Sequence, residues 1–280
     1  METSLSNRFP GLPLRQKGAR HVLAMLGLLL AMLLQSGCAS LPTDYPRSTS
    51  TVLTDTRDTR LGQTAHRLLA GHPEVSGVHP LNHGTDAFLA RLVLAEAAEK
   101  SLDVQYYIWH ADESGRLLLK ELLDAADRGV RVRLLLDDID ARAKHDLFRV
   151  ADLHPNVEVR LFNPYYSRTG TLGMLTEWVW RSKRLNRRMH NKAWIADNRV
   201  AIVGGRNIGD EYFGASEHSN FSDLDVLLAG PIVADVSSAF DAYWNSPNAV
   251  PVSRFDGRPP DAAKLQQLVA GAQEYLAQAG

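Results

Sequence analysis

The sequence predicts an α/β protein, a layered α/β/α sandwich around a mixed central sheet. Two observations carry that expectation. From about residue 85 to residue 247, short runs rich in branched and aromatic residues alternate with amphipathic stretches. The runs have the length of strands and the stretches the length of helices, and glycine, proline, asparagine or aspartate punctuates the joints. Strands and helices in alternation bury their apolar faces by covering both sides of a sheet with helices.

Asn82-His83-Gly84-Thr85-Asp86 supplies turn and capping chemistry for a helix through Lys100. Phe88, Leu89, Leu92, Val93 and Ala97 recur at helical spacing along it and are expected to face the sheet. Leu102–Trp109 reads as a strand, Ser114–Arg128 as an amphipathic helix ended by Gly129, and Val130–Leu136 as a second strand. A helix over His145–Leu153, a strand over Val157–Phe162 and a longer helix over Leu172–Arg187 follow. Two strands then flank residue 197, another covers Leu224–Leu228, and a helix spans Ile232–Trp244.

The ends differ from this body. Arg15, Lys17 and Arg20 precede an unbroken apolar run from Val22 to Leu34, followed by Gln35-Ser36-Gly37-Cys38. A basic region, a short apolar region and small residues predict a secretory leader over 1–37. As a helix the run spans about 20 Å, short of the hydrocarbon thickness of a bilayer. Cys38, the single cysteine, excludes an intramolecular disulfide. Its setting resembles a bacterial lipoprotein processing site, with Gln35 where leucine is usual. That resemblance implies a chain lipid-anchored at Cys38 in the cell envelope, on the periplasmic side and at the outer rather than the inner membrane. Residues 38–77 are expected to form a tether with a short helix over Leu61–Ala70, and 248–280 a linker and helical tail. Without residues 1–37 the chain has 27 basic and 31 acidic residues, net −4. That argues against a general nucleic-acid binder, which carries a basic surplus.

The chemistry concentrates between Met189 and Gly214. His190, Lys192 and Asp197 spell H-x-K-x-x-x-x-D. In a strand His190 and Lys192 would share a face, presenting an imidazole beside an ammonium. That pair suits attack on a phosphate, whose oxygens gain from a nearby cation in the transition state. Asp197 falls on the opposite face and reads as a structural hydrogen-bonding member of the motif. Gly204 and Gly205 let a backbone approach something closely, and Asn207 offers an amide to a phosphate oxygen.

This run resembles the active-site motif of the phospholipase D superfamily, and G-G-R-N-I-G-D-E-Y-F resembles its bacterial cardiolipin synthase branch. Gln105–Asp138 and Asp223–Ser246 extend the likeness to about residues 85–247, one half-domain of the family. The resemblance implies a phosphohistidine at His190, Lys192 and Asn207 on phosphate oxygens with Gly205 beside them, and a carboxylate orienting the imidazole. Asp225 is favoured for that carboxylate over Asp223 by family spacing. It implies no metal or cofactor, and phospholipid substrates at a membrane: phosphatidylglycerol, phosphatidylethanolamine or cardiolipin.

The superfamily builds one site from two copies of the motif, and this sequence carries one. A second motif-bearing half is the favoured expectation, and pairing with a second copy of the chain the other. The function classes that follow are a phosphatidyltransferase of cardiolipin synthase type, a homodimeric phosphodiesterase acting on nucleic acid, and a non-catalytic membrane-tethered half-domain. Arg181, Lys183, Arg184, Arg187 and Arg188, with Trp178 and Trp180, read as a groove for anionic headgroups or as a solvated face. Asp137, Asp138 and Asp140 read as a strand-edge loop, and His83, His110 and His145 have no matched partner in sequence.

Overall fold

A computed structural model describes residues 48–141, 145–165 and 186–255, with isolated positions beyond them. The predicted leader, Cys38, the first part of the tether, most of the helix over 172–187 and the tail lie outside the described residues. So do Trp178, Trp180, Arg181 and Lys183.

The elements run α1 (Arg60–Leu68), β1 (Gly77–Leu81), α2 (Gly84–Ala97), β2 (Ser101–Tyr106), α3 (Glu113–Asp127) and β3 (Arg131–Asp137). There follow α4 (Asp138–Ala141), α5 (His145–Ala151), β4 (Val157–Phe162), β5 (Ala193–Ala196) and β6 (Val200–Gly204). The last are α6 (Asp210–Phe213), β7 (Asp225–Ala229), α7 (Ile232–Trp244) and β8 (Ala249–Pro251). The eight strands form one sheet in the order β1-β7-β6-β5-β2-β3-β4-β8. β2, β3 and β4 are parallel, and the other pairings are antiparallel, so the sheet is mixed as expected.

Alternation of side chains along the strands divides the core in two. Val104, Leu134, Leu136, Trp194 and Ile202 pack with Ala87 and Leu94 of α2 and Leu118 and Leu122 of α3. Leu135, Ile195, Ala201 and Leu228 face the other way, onto Val233, Phe240 and Trp244 of α7. Asp112 caps α3, accepting from Gly115 N at 3.1 Å, and Gly129 ends that helix region at φ 92°. That backbone conformation favours glycine.

Four expectations need correction. The edge strands β1 and β8 had no counterpart in the sequence reading: β1 contains Pro80 and only three residues form β8. Edge strands tolerate both features. In α2, Leu89 and Val93 are exposed, at 55% and 59%, and the buried positions are Ala87, Arg91, Leu94 and Ala95. A buried arginine turns that helix, for reasons that lie in the site. The tether is docked from Ser48 onward: Arg160 Nη2 donates to Ser48 O at 2.8 Å and Arg133 Nη1 to Ser50 O at 2.9 Å. Val52 N donates to Asp241 Oδ2 at 2.8 Å. Finally, His190 and Lys192 stand just ahead of β5 rather than within it.

Candidate active site

Four adjacent strands bring their ends together. The register pairs Gln105 with Ala193, Ala193 with Val203, and Gly204 with Asp225. The residues just beyond these pairs therefore gather at one end of the sheet: Tyr107 after β2, His190 and Lys192 before β5, Gly205 after β6 and Asp223 before β7.

The His190 residue is exposed, while Lys192 is buried. Lys192 Nζ lies 3.1 Å from Nδ1 and 3.2 Å from Nε2 of His190, and donates to His190 O at 2.7 Å. The lysine thus holds both the ring and its own backbone, which keeps the two side chains together without a strand's alternation. Tyr107 packs its ring 4.8 Å from the imidazole, and Lys192 Nζ sits 5.5 Å over the same tyrosine. Desolvation lowers the pKa of His190, Lys192 lowers it further, and Asp223 opposes both. Burial also lowers Lys192, against Asp223 and Asp225. A neutral imidazole beside a cation is the form a nucleophile toward phosphorus needs.

The chain enters this corner under restraint. Asp137, at the end of β3, is fully buried and accepts from Met189 N and Ile139 N, each at 2.9 Å, and from Arg188 Nη1 at 3.1 Å. Burial pushes its pKa up to about 6, with Arg188 pulling the other way. Asp138 accepts from Tyr165 N and Asp140 from Trp109 N, at 2.7 and 3.0 Å. The three acids thus pin three separate segments at the strand edge, where the sequence read them as a loop.

The two glycines have a specific neighbour. A Cβ on Gly204 would lie 2.1 Å from Asp225 Oδ1, and one on Gly205 2.1 Å from Asp223 Oδ1. The close approach the sequence anticipated is thus to the segment carrying both candidate carboxylates. Asp225 is fully buried and bonded to Arg91 Nη2 at 2.8 Å, with Arg206 Nη1 at 3.8 Å and Arg206 N donating to it at 3.3 Å. Arg91 also donates to Tyr106 OH at 2.8 Å and Ala87 O at 2.6 Å. The preference for Asp225 as the imidazole's carboxylate gives way here: that carboxylate is committed to Arg91, and the field raising His190 comes from Asp223. Arg91 was missed because periodicity counts an arginine as outward-facing.

Asn207 lies buried, with Oδ1 accepting from Ile108 N at 3.1 Å and Nδ2 donating to Tyr212 OH at 3.0 Å. It braces the turn after β2, and one amide hydrogen is left over for a ligand. Asp197 lies at the far end of β5. It is fully buried and accepts from Glu99 N, Lys100 N and Ser101 N, the last two at 2.7 and 2.9 Å. Asp197 and Asn198 both take φ 51°, turning β5 into β6. The structure therefore gathers His190, Lys192, Gly205 and Asp223, sets Asn207 and Asp225 behind them as braces, and leaves Asp197 remote.

His110 has partners after all. Its Nδ1 lies 3.1 Å from Glu211 Oε1 and 3.9 Å from Asp112 Oδ2, and Nε2 lies 4.0 Å from Asp140 Oδ1. Those of His110, Asp112 and Glu211 could hold a metal ion, being within 4.8 Å of one another. Asp112 is meanwhile occupied by Gly115 N and Asp210 N. Of the basic run, Arg184 bonds Glu177 and Asn163 and Arg188 bonds Asp137, so both serve the fold.

The sequence profile described as cardiolipin synthase, PLD-like domain, matches residues 92–244, more than half of the chain. The chain belongs to this family. It is 52% identical to cardiolipin synthase C of Escherichia coli over 196 residues, 70% of this chain and 41% of that protein. It is 31% identical to cardiolipin synthase A of Pseudomonas entomophila over 191 residues, 67% of this chain and 38% of that protein. The chain thus spans about two fifths of these relatives' length. A solved structure of phosphatidylserine synthase from Haemophilus influenzae has a TM-score of 0.48 at 15% identity, covering 77% of this chain and 48% of that one. No helix among the described residues is long and apolar enough to cross a membrane, and the run Val22–Leu34 lies outside them apart from isolated positions.

Proposed function

We propose that the chain carries the nucleophilic half of a phosphatidyltransferase of cardiolipin synthase type. The observation that supports this best is the imidazole of the exposed residue His190, with both ring nitrogens within 3.2 Å of Lys192 Nζ and a pKa that desolvation and that cation lower. A ring nitrogen attacks phosphorus of a phospholipid diester, forming an N–P bond as the P–O bond to the headgroup alcohol breaks. Lys192 neutralises a phosphoryl oxygen. The departing alkoxide takes its proton from a second general acid, which a depressed His190 cannot supply in the same step. A second motif, on another half or another copy of the chain, supplies it. The hydroxyl of a phosphatidylglycerol then attacks phosphorus, gives its proton to that same group, and regenerates His190. The reading of Cys38 as a lipid anchor on the periplasmic side belongs to this proposal, because it sets the domain against its substrate.

The test is cardiolipin formation from mixed phospholipid vesicles by the full chain, alone and with a second motif-bearing half. The expected result is product that disappears in His190→Ala. Silence of both chains in both settings, or release of nucleotides from DNA instead, would overturn it.

A further inference from the structure

A second candidate site lies at the end of the sheet away from His190. A groove of about 940 Å³ runs between α1, the β5–β6 turn and the start of α7. Asn198 and Arg199 mark its place on the sheet, so at least the length of β5, about 13 Å, separates it from His190. Its charged lining is of one sign: Arg57, Arg67 and Arg199, with His66 beside them and no carboxylate among the lining residues. Leu69, Ala70, Pro73, Pro231 and Ala234 give it an apolar floor and wall.

The arginines are unequally committed. Arg199 Nε donates to Thr56 Oγ1 at 2.8 Å and Nη2 to Thr54 O at 3.1 Å, which fixes the guanidinium as part of the wall. Among the described residues, Arg67 Nη2 reaches only Thr64 Oγ1, at 3.0 Å. Arg57 is exposed and makes no side-chain hydrogen bond or ion pair among the described residues. The nearby Asp58 is taken by Lys100 Nζ at 2.6 Å, outside the groove. Burial lowers the pKa of Arg199 and the like charge of Arg57 lowers it further, against Asp197, Asp55 and Asp58, none of which lines the groove. The neighbouring surface is apolar: Leu68 on α1 is 77% exposed and Val75 57%. Cations at a groove's mouth, an apolar floor and unburied aliphatic side chains beside it match an anionic amphiphile at a membrane surface.

We infer that this groove binds the phosphodiester headgroup of an anionic phospholipid, with its glycerol and first methylenes over Leu69 and Pro231. The inference goes beyond the reaction proposed for His190, since the groove needs no chemistry there. It would hold the domain to the bilayer by a lipid that is not being turned over.

The test uses the full chain carrying His190→Ala, which takes the catalytic nucleophile out of the measurement. Dihexanoylphosphatidylglycerol below its micelle concentration is titrated by calorimetry, beside dihexanoylphosphatidylcholine, glycerol phosphate and inorganic phosphate. Saturable binding of the anionic lipid is expected, roughly tenfold or more weaker with Arg57→Gln and Arg67→Gln together, the loss of one charge-assisted hydrogen bond or more. Both side chains are exposed, and an unchanged melting temperature confirms that the double variant folds. Equal affinity in the double variant would overturn the inference. So would inorganic phosphate or glycerol phosphate binding as tightly as the lipid, or loss of lipid binding with His190→Ala alone.

Discussion

At one end of β5 the His190 residue is exposed, touched by one lysine and one tyrosine. At the other end Asp197 has no exposed surface and accepts from three consecutive backbone amides. The same short motif thus contains a reactive half and an architectural half. His190 is exposed to a substrate while Lys192 holds its ring and carbonyl; Asp197 anchors the start of β2 beside β5, and that anchoring keeps the opposite strand ends in register. Substitution should separate the two. His190→Ala is expected to lower phosphatidyl transfer by about 10³-fold or more while leaving the urea midpoint unchanged. Asp197→Ala leaves buried amide donors unpaired and is expected to cost about 3 kcal/mol of stability in urea unfolding. A His190→Ala protein that unfolds early, or an Asp197→Ala protein as stable as the parent, would erase the distinction.

A parallel contrast holds between Asp225, the first residue of β7, and Asp223, two residues before it. Asp225→Asn leaves Arg91 charged and without its carboxylate in the core, at a cost of about 3 kcal/mol. Asp223→Asn, half-buried and bonded to its own neighbour's amide, should stay within about 0.5 kcal/mol of the parent. Thermal or urea melts of the pair check this, and equal losses would mean that the two carboxylates share one structural role.

The sequence reading was fullest where pattern and packing agree. The helix Ile232–Trp244 appears with the same bounds because its apolar spacing and a glycine–proline start point to one answer. The strands of the middle sheet are within a residue or a few of their expected bounds for the same reason. It failed where a charge goes inside. Arg91 stands in a row of leucines and alanines, and periodicity alone turned its helix so that Leu89 and Val93 faced in. Pairing with Asp225, 134 residues away, decides the face, and no local window contains that partner. The site was legible as His190, Lys192, the glycine pair and the later acids. Tyr107 was not singled out and Asp137 was read only as part of a strand-edge loop, because both reach the motif through the sheet register rather than through spacing in the chain.

Asp137 makes the contrast between chemistry and frame depend on pH. Its folded pKa of about 6 lies above the ordinary carboxylate value, raised by burial. A raised acid contributes stability that is present below about pH 4 and lost as the pH rises through 6. The stability of the parent minus that of Asp137→Asn should therefore fall across this window, by about 3 kcal/mol at most, and run level above pH 7. Urea melts at pH 4, 5, 6 and 7.5 check the slope, and a difference that rises with pH would reverse the assignment.

The smallest expected effect is the one that tests how His190 is tuned. Lys192 lowers the imidazole's pKa and Asp223 raises it, with desolvation the largest influence. Lys192→Met should therefore raise the His190 pKa, and Asp223→Asn should lower it, both modestly because the ring is exposed to screening water. Nuclear magnetic resonance titration of the His190 ring reads both shifts directly. The two variants then part company in function. Asp223→Asn keeps the ring neutral to lower pH, so the acid limb of any activity moves down while the plateau changes little. Lys192→Met moves the limb up and also removes the cation that neutralises the phosphoryl oxygen, so the plateau falls too. Opposite shifts with only one loss of plateau would separate the residue that sets the charge of the nucleophile from the one that meets the substrate. No shift in either variant would mean that burial alone controls the ring and that neither neighbour's field reaches it.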